Sequence, residues 1–109
     1  MKGKEIEGAF TEADISANAP ESQGVYTIFE DEENRVLYVG SAASEDVTIK
    51  SCLLEHVAGK KGPCTLEGDG FRCIAMPADE ALKAEKELLE KEKSENGAYP
   101  KCNDSGTQN

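Results

Sequence analysis

The chain has 109 residues, 38% of them hydrophobic and 31% charged, and 22 Asp plus Glu against 12 Lys plus Arg give a formal net charge of −10. This length supports one domain with a modest core, and no apolar run approaches the ~20 residues that span a bilayer. Proteins that bind nucleic acid usually neutralise phosphates with basic residues. A net charge of −10 therefore disfavours DNA binding unless the Lys and Arg side chains gather on one face of the protein.

The start of the chain is basic, but no apolar segment follows, so we expect no secretory signal and assign the protein to the cytoplasm. The four cysteines, Cys52, Cys64, Cys73 and Cys102, match no zinc-binding spacing and form no Cys-x-x-Cys pair. In a reducing cytoplasm the default is four free thiols, and we expect no disulfide.

Residues 1–18 are predicted to be a loose lead-in, in which Thr11–Asp14 begins a short helical turn with a capping box. Two strands follow at about Val25–Phe29 and Arg35–Val39, since both stretches are rich in β-branched and aromatic residues. Residues 30–34 form the turn between them. The two strands therefore form a hairpin.

The register of this hairpin decides where two tyrosines lie. If the turn centres on Glu32, Ile28 faces Val36 and Tyr26 faces Tyr38, which puts both phenols on one side of the sheet. A slip of one residue would put them on opposite faces. The length of the loop is compatible with the shared face but does not force it.

A helix is predicted at about Asp46–Ala58, with an apolar stripe at helical spacing and with Cys52 and His56 alongside. Gly59 suits its end. The loop that follows contains Lys60 and Lys61, which fit a small phosphate-facing patch and an ordinary helix end equally well.

A third strand is predicted at 71–76 and a second helix at about Asp79–Glu95, with Asp79 as the N-cap. This helix is expected to bury Leu82, Leu88 and Leu89. Glu85 lies on the same stripe, where an unpaired carboxylate is costly unless it has a partner or a metal. A polar tail follows.

Four residues thus occupy positions that local patterning would give to an apolar side chain or leave to water. They are Tyr26, Tyr38, His56 and Glu85, and such inconsistencies often mark function. Each also has a purely structural interpretation. The tyrosines can be half-buried sheet aromatics, the histidine a hydrogen-bonded residue at the edge of the core, and the glutamate a partner of Lys50.

At these positions the chain resembles the GIY-YIG nuclease superfamily. Gly24–Tyr26 and Tyr38–Gly40 stand where the two signature tripeptides belong, and His56, Glu85 and Asn103 follow in the family's order. The lead-in to the first tripeptide is similar to that of excision-repair members. The likeness covers roughly residues 19–103.

The resemblance implies a mixed α/β (α+β) domain at 19–104, in which a small three-stranded, mainly antiparallel sheet is flanked by helices, with a flexible tail at 105–109. It also implies a divalent-metal-dependent DNA endonuclease of the nucleotide-excision-repair type. In the family a tyrosine helps to activate water, a glutamate holds one metal and a helix arginine stabilises the transition state. Carried over, these roles give catalysis to Tyr26, Tyr38 and His56, binding of Mg²⁺ or Mn²⁺ to Glu85, and support to Gly24, Gly40 and Asn103.

The chain departs from the family at the arginine, whose place one helical turn before His56 is taken by Cys52. Lys50 lies six residues before His56, about 120° around the helix, and does not replace the arginine. Loss of such a cation typically costs on the order of 10²-fold in rate.

Two functions therefore remain open. One is the nuclease, which the retained tyrosines, histidine, glutamate and asparagine favour. The other is a degenerate domain that no longer cleaves and binds a partner such as a protein, which the missing arginine and the negative charge favour. The chain shows no second DNA-binding module, so targeting would have to come from another protein.

Overall fold

The computed structural model describes residues 4–31 and 35–106. In chain order the elements are β1 (Glu5–Ala9), α1 (Glu12–Asn18), β2 (Gly24–Glu30), β3 (Arg35–Ala42), α2 (Ile49–Val57), a 3₁₀ helix (Cys64–Glu67), β4 (Gly70–Ala75), α3 (Ala78–Asn96) and α4 (Lys101–Gly106). The centre of the predicted turn, Glu32, and the last three residues of the predicted tail lie outside the described residues. Residues 105 and 106 of that tail belong to α4.

The strands form one antiparallel sheet in the order β1-β4-β2-β3. This confirms the mixed α/β class but corrects the strand number from three to four. The extra strand, β1, comes from the segment that was predicted to be loose. Its sequence pattern is weak because it is an edge strand in which Ile6 lies between exposed Glu5 and Glu7. Strand β4 provides the pairing that the local sequence does not predict.

The two faces of the sheet carry separate cores, because successive side chains of a strand point to opposite sides. One face packs against α1 and α2, and its buried residues include Ile15, Tyr26, Ile28, Ile49, Leu53 and Phe71. The other face packs against α3, and its buried residues are Val25, Val39, Met76 and Ala81. The site residues predicted on α2 and α3 therefore approach the sheet from opposite sides.

Helix α2 is shorter than predicted because Thr48 caps it. The Thr48 side chain accepts a hydrogen bond from the Ser51 backbone N–H, and the Ser51 side chain accepts one from the Thr48 N–H, both at 3.0 Å. This reciprocal pair caps the helix, which therefore starts at Ile49 rather than at Asp46. Gly59 follows the helix with φ +83°, as expected for a helix end. The buried residues of α2 are Ile49, Cys52, Leu53 and His56.

Helix α3 faces the sheet along a slightly different line from the one predicted. Ala81 is fully buried whereas Leu82 is 55% exposed, so the predicted burial of Leu82 is wrong. Leu88 and Leu89 pack partly buried against the core, as expected. The helix begins after Pro77 without a side-chain cap, which corrects the assignment of Asp79 as N-cap. None of the helices in the described ranges combines the length and apolar character needed to cross a bilayer.

Cys64 and Cys102 form a disulfide across 38 positions of sequence. This corrects the expectation of four free thiols, which followed from assigning the chain to a reducing compartment. The 3₁₀ helix and α4 bring the two Cα atoms to 5.6 Å, within the range that disulfides span. Spacing along the chain does not report such tertiary proximity. Cys52 and Cys73 are free and buried, as predicted for small core residues.

Gly24, the first residue of β2, has no room for a side chain. A Cβ there would meet the backbone oxygen of Ile74 and would lie 2.6 Å from Ile49 Cδ1. Because β4 backbone cannot move aside as a side chain does, we expect Gly24→Ala to lower the free energy of unfolding by about 1–3 kcal/mol, measured by urea denaturation. Gly8→Ala is the matched control, since its Cβ would meet chiefly the Phe71 ring at 3.0 Å. An equal loss in both variants would contradict this account.

Candidate functional site

Tyr26 and Tyr38 lie on one face of the sheet, but not in the register predicted. Tyr26 pairs with Gly40, and Tyr38 pairs with Ile28. Next to the turn, Glu30 pairs with Arg35. If that register continued along both strands, Tyr26 would lie opposite Val39 and the two tyrosines would lie on opposite faces. A β-bulge between Ile28 and Phe29 takes up one extra residue of β3 and restores the shared face. The expected direct pairing is therefore wrong, and the rings are diagonal neighbours with centroids 6.1 Å apart.

Gly40 lies directly beneath the two rings. A Cβ at this position would come within 2.6 Å of the Tyr26 hydroxyl and 2.7 Å of Tyr38 Cε2. Only a residue without a side chain lets both phenols lie this close to the strand. The supporting role expected for Gly40 thus has a steric basis.

His56 completes the group from α2. The residue is only 2% exposed, and Nε2 of its ring lies 3.1 Å from the Tyr26 hydroxyl. The imidazole centroid is 4.7 Å from the Tyr38 ring. We call Tyr26, Tyr38 and His56 the phenol–imidazole cluster. It lies where α2 covers β2 and β3.

Thr65 is a partner of the cluster that sequence reasoning missed. It is buried in the 3₁₀ helix, and its Oγ1 lies 3.3 Å from His56 Nδ1. A neutral imidazole has one N–H donor and one acceptor nitrogen, so either tautomer satisfies both Tyr26 and Thr65. No local pattern marks this threonine, because the contact arises only when the loop after α2 folds back.

Burial keeps the phenol–imidazole cluster uncharged. It lowers the pKa of His56 to about 4, and the nearby charge of Lys61 acts in the same direction. Burial also raises the pKa of Tyr26 well above its usual value, with a further contribution from Tyr38. The pKa of Tyr38 is raised by burial and then by the charge of Glu85. Near neutral pH the cluster therefore consists of two phenols and a neutral imidazole.

The two residues considered for the missing arginine bring no positive charge to the cluster. Cys52 is buried within the same core, and burial raises the pKa of its thiol. The Lys50 ammonium lies 3.6 Å from the carboxylate of Glu21. The expected exclusion of Lys50 thus agrees with its position.

Lys61 is the cation whose charge acts on the cluster. It influences the titration of Tyr38, Cys52 and His56. Its Nζ lies 3.4 Å from Glu55, and its side chain is 49% exposed. In the sequence this role was indicated by the pair Lys60 and Lys61 in the loop after α2, although an ordinary helix end explained that pair equally well.

Glu85 reaches the site from the opposite layer. Its Oε1 accepts a hydrogen bond of 2.5 Å from the Ser41 hydroxyl, which follows Gly40 in β3. Its charge raises the pKa of both Tyr26 and Tyr38. The carboxylate is thus bound to the strand that carries Tyr38. Its partner is Ser41 rather than the lysine at position 50 that was considered as an alternative.

Asn103 holds β3, which is an edge strand of the sheet. The Val39 N–H donates to Asn103 Oδ1 at 2.8 Å, and Asn103 Nδ2 donates to the Val39 carbonyl at 3.0 Å. The amide therefore pairs with Val39 as a neighbouring strand would. Val39 lies between Tyr38 and Gly40, so Asn103 fixes the backbone beneath the cluster.

The oxygen ligands that the described side chains supply are too few to hold a metal without ligands from a substrate. Across residues 4–31 and 35–106, no group of three or more His, Cys, Asp or Glu is placed to hold a metal ion. Glu85 provides one carboxylate beside the Ser41 hydroxyl. Mg²⁺ and Mn²⁺ prefer such oxygen ligands, and Mg²⁺ is commonly held by one or two carboxylates with waters and substrate phosphates. Glu85 and Ser41 are the oxygen donors that such an ion would use here, together with ligands from substrate.

No protein-family model matches the chain, and no curated protein matches it either. The likeness to the GIY-YIG superfamily therefore remains a prediction, which rests on the residues quoted above.

The low pKa of His56 predicts a loss of stability in acid. His56 binds its proton near pH 6.5 when unfolded and only near pH 4 when folded. Between these values the unfolded state holds more protons, so stability falls as the pH drops, by about 3 kcal/mol for this group. Urea denaturation of wild type and His56→Gln isolates the effect, because the carboxylates titrate in both. If the difference in stability between wild type and His56→Gln stays constant from pH 6.5 to 4, the lowered pKa of His56 is refuted.

Gly40→Ala should disturb the cluster itself. The added methyl group would push the two phenols away from the strand, and Tyr26 would lose its hydrogen-bond geometry with His56. His56 is the chain's one histidine, so its ring signals in NMR spectra report this displacement without ambiguity. Gly8→Ala serves as the control, since its added methyl group would meet the Phe71 ring and Asp14 rather than a residue of the cluster. Unchanged histidine signals in Gly40→Ala would rule out the close packing described here.

Proposed function

We propose that the chain is a metal-dependent phosphodiesterase of the GIY-YIG type that acts as a DNA endonuclease. The observation that carries this proposal is the convergence of the phenol–imidazole cluster and the Glu85 carboxylate at β3. These residues come from β2, β3, α2 and α3. Their positions also match, one by one, the motifs that suggested the family.

The tyrosines and the histidine supply the proton-transfer groups of this proposal. Tyr38 is partly exposed whereas Tyr26 is buried, so Tyr38 is the phenol that contacts substrate or its attacking water. Tyr26 connects to His56 through the 3.1 Å contact. The neutral imidazole has a nitrogen that accepts the proton passed through the phenols. Since a base with a pKa of about 4 is weak at neutral pH, we expect slow turnover.

Glu85 is the residue that would hold Mg²⁺ or Mn²⁺, with the Ser41 hydroxyl orienting the carboxylate. Such an ion, when bound, polarises the phosphoryl group and neutralises charge in the transition state. In this proposal the cluster and the carboxylate would contact the same phosphate, one from each face of β3.

We propose that Lys61 binds the phosphate in place of the family's arginine. Its side chain is half exposed, and its ammonium makes an exposed ion pair with Glu55, a kind of contact that contributes little to stability. A phosphate can therefore compete for it. The position differs from that of the arginine, so the replacement is expected to be partial.

The net charge of −10 restricts how DNA reaches the site. Long-range repulsion slows association unless a second protein delivers the substrate. We therefore propose a protein partner for targeting, and a cytoplasmic location is part of the same proposal.

A degenerate, non-cleaving domain that binds a partner is the second candidate. Cys52 favours it, because a buried neutral thiol stands in the place of the family's arginine. In this alternative the cluster serves as a rigid floor for binding, and the net charge favours a protein over a nucleic acid.

Cleavage assays on nicked, branched and single-stranded DNA with Mg²⁺ or Mn²⁺ decide between the two. The nuclease proposal expects slow cutting by the wild type and a loss on the order of 10²-fold or more in Glu85→Gln. Glu87→Gln is the matched control, an exposed glutamate of the same helix, and should cut like wild type. Lys61→Met should reduce the rate and Cys52→Arg should raise it.

The remaining outcomes separate the candidates. Cutting that appears only in Cys52→Arg would mean that the rest of the site is intact in a domain that has lost its activity. Cutting by neither protein on any substrate would contradict the nuclease and leave the binding domain. Cutting that is equal in wild type and Glu85→Gln would show a contaminating enzyme or a different site.

A further inference from the structure

The Cys64–Cys102 disulfide joins the two segments that support the phenol–imidazole cluster from outside the sheet. Cys64 opens the 3₁₀ helix, and Cys102 lies in α4. An ion pair between Lys101 and Glu67, at 2.9 Å, connects the same two segments. These contacts tie together parts of the chain that are otherwise separated by β4 and α3.

The residue after each cysteine touches the site. Thr65 follows Cys64 and lies 3.3 Å from His56 Nδ1. Asn103 follows Cys102 and makes both hydrogen bonds to Val39, beside Tyr38. The disulfide therefore lies one residue from Thr65, the partner of His56, and one residue from Asn103, the partner of Val39 in the strand that carries Tyr38.

The two segments that the disulfide joins are short helices. The 3₁₀ helix spans four residues and has no side-chain cap, and α4 spans six residues. Helices this short are not stable by themselves. Their positions therefore depend on tertiary contacts, among which the disulfide is the covalent one.

We propose that the Cys64–Cys102 disulfide is a redox-sensitive positioning element, which holds Thr65 on His56 and Asn103 on Val39 and releases both when it is reduced. The oxidised chain has an ordered cluster. The reduced chain keeps the sheet and its two cores but loses the fixed orientation of His56 and of the edge strand. The proposal concerns the geometry of the cluster and does not depend on the activity proposed above.

The reductant is a dithiol. Its thiolate attacks the sulfur of Cys64, the partly exposed cysteine of the pair, while Cys102 is buried. Cys102 leaves as a thiolate and takes up a proton, and a mixed disulfide forms at Cys64. The second thiol of the reagent then displaces Cys64, so that the protein gains two electrons and two protons and the reagent becomes a disulfide.

The test follows His56 in the full chain, oxidised and then reduced with dithiothreitol, by NMR titration of its ring signals. In the oxidised wild type the titration midpoint is expected near 4. The charges that act on this ring are those of Lys61, which lowers its pKa, and Glu55, which raises it. The facing phenols of Tyr26 and Tyr38 stay uncharged because burial raises their pKa. On reduction the midpoint should move toward 6.5, the ordinary histidine value, because the ring loses its fixed partner and gains access to water.

Two variants make the test specific. In Thr65→Val the residue that transmits the effect is gone, so reduction should leave the histidine signals almost unchanged. Cys73→Ala removes a free buried cysteine and should respond to the reductant as wild type does. A Cys64→Ala, Cys102→Ala double variant should resemble the reduced wild type without any reagent.

Each contrary result overturns the proposal. Four reactive thiols in the air-oxidised, denatured chain would mean that the disulfide does not form. Histidine signals that ignore reduction would show that the bond does not position the cluster, and an equal response in Thr65→Val would show that Thr65 is not the link. Global unfolding on reduction, seen by circular dichroism in wild type and double variant alike, would make the bond a general stabiliser instead.

Discussion

The buried contact between the Tyr26 hydroxyl and His56 Nε2 is the interaction on which the site depends. It joins the central strand β2 to helix α2 through two polar side chains that are almost fully shielded from water. Each group would be costly if left unpaired. The surrounding structure therefore has to hold both in place. Gly40 leaves room for the ring, and Thr65 takes up the other nitrogen of the imidazole.

Burial also determines the electrostatics of the site. The cluster is neutral near physiological pH, because desolvation raises the pKa of the tyrosines and lowers that of the histidine. The charged groups lie around it instead, with Glu85 bound to Ser41 and Lys61 in the loop after α2. A neutral interior with opposite charges at its border is the arrangement that the proposed binding of a metal and a phosphate would use. In the second candidate the same residues bind a partner without cleavage, and the buried thiol of Cys52 in place of the family's arginine favours that candidate.

The sequence predicted the parts of the site that depend on helical spacing. His56 was expected on the inner side of α2 and Glu85 beside Leu88, and both positions follow from a period of 3.6 residues. The shared face of the tyrosines was one of the two registers left open, and it arises from a β-bulge that no residue of the hairpin indicates. Thr65 and the disulfide could not be predicted, because their contacts exist only after the chain after α2 folds back. Strand β1 was missed because its pairing with β4 outweighs a weak local preference.

The most direct test of this account is a titration of the protein with Mn²⁺, observed through the paramagnetic broadening of backbone amide signals, in the presence of a short single-stranded DNA. We predict broadening that is centred on Glu85 and Ser41, spreads to Tyr38 and Gly40, and is absent in Glu85→Gln. Broadening that follows the exposed acidic face of α3 and persists in Glu85→Gln would contradict it. That result would mean that the carboxylate bound to Ser41 does not form a metal site with the cluster.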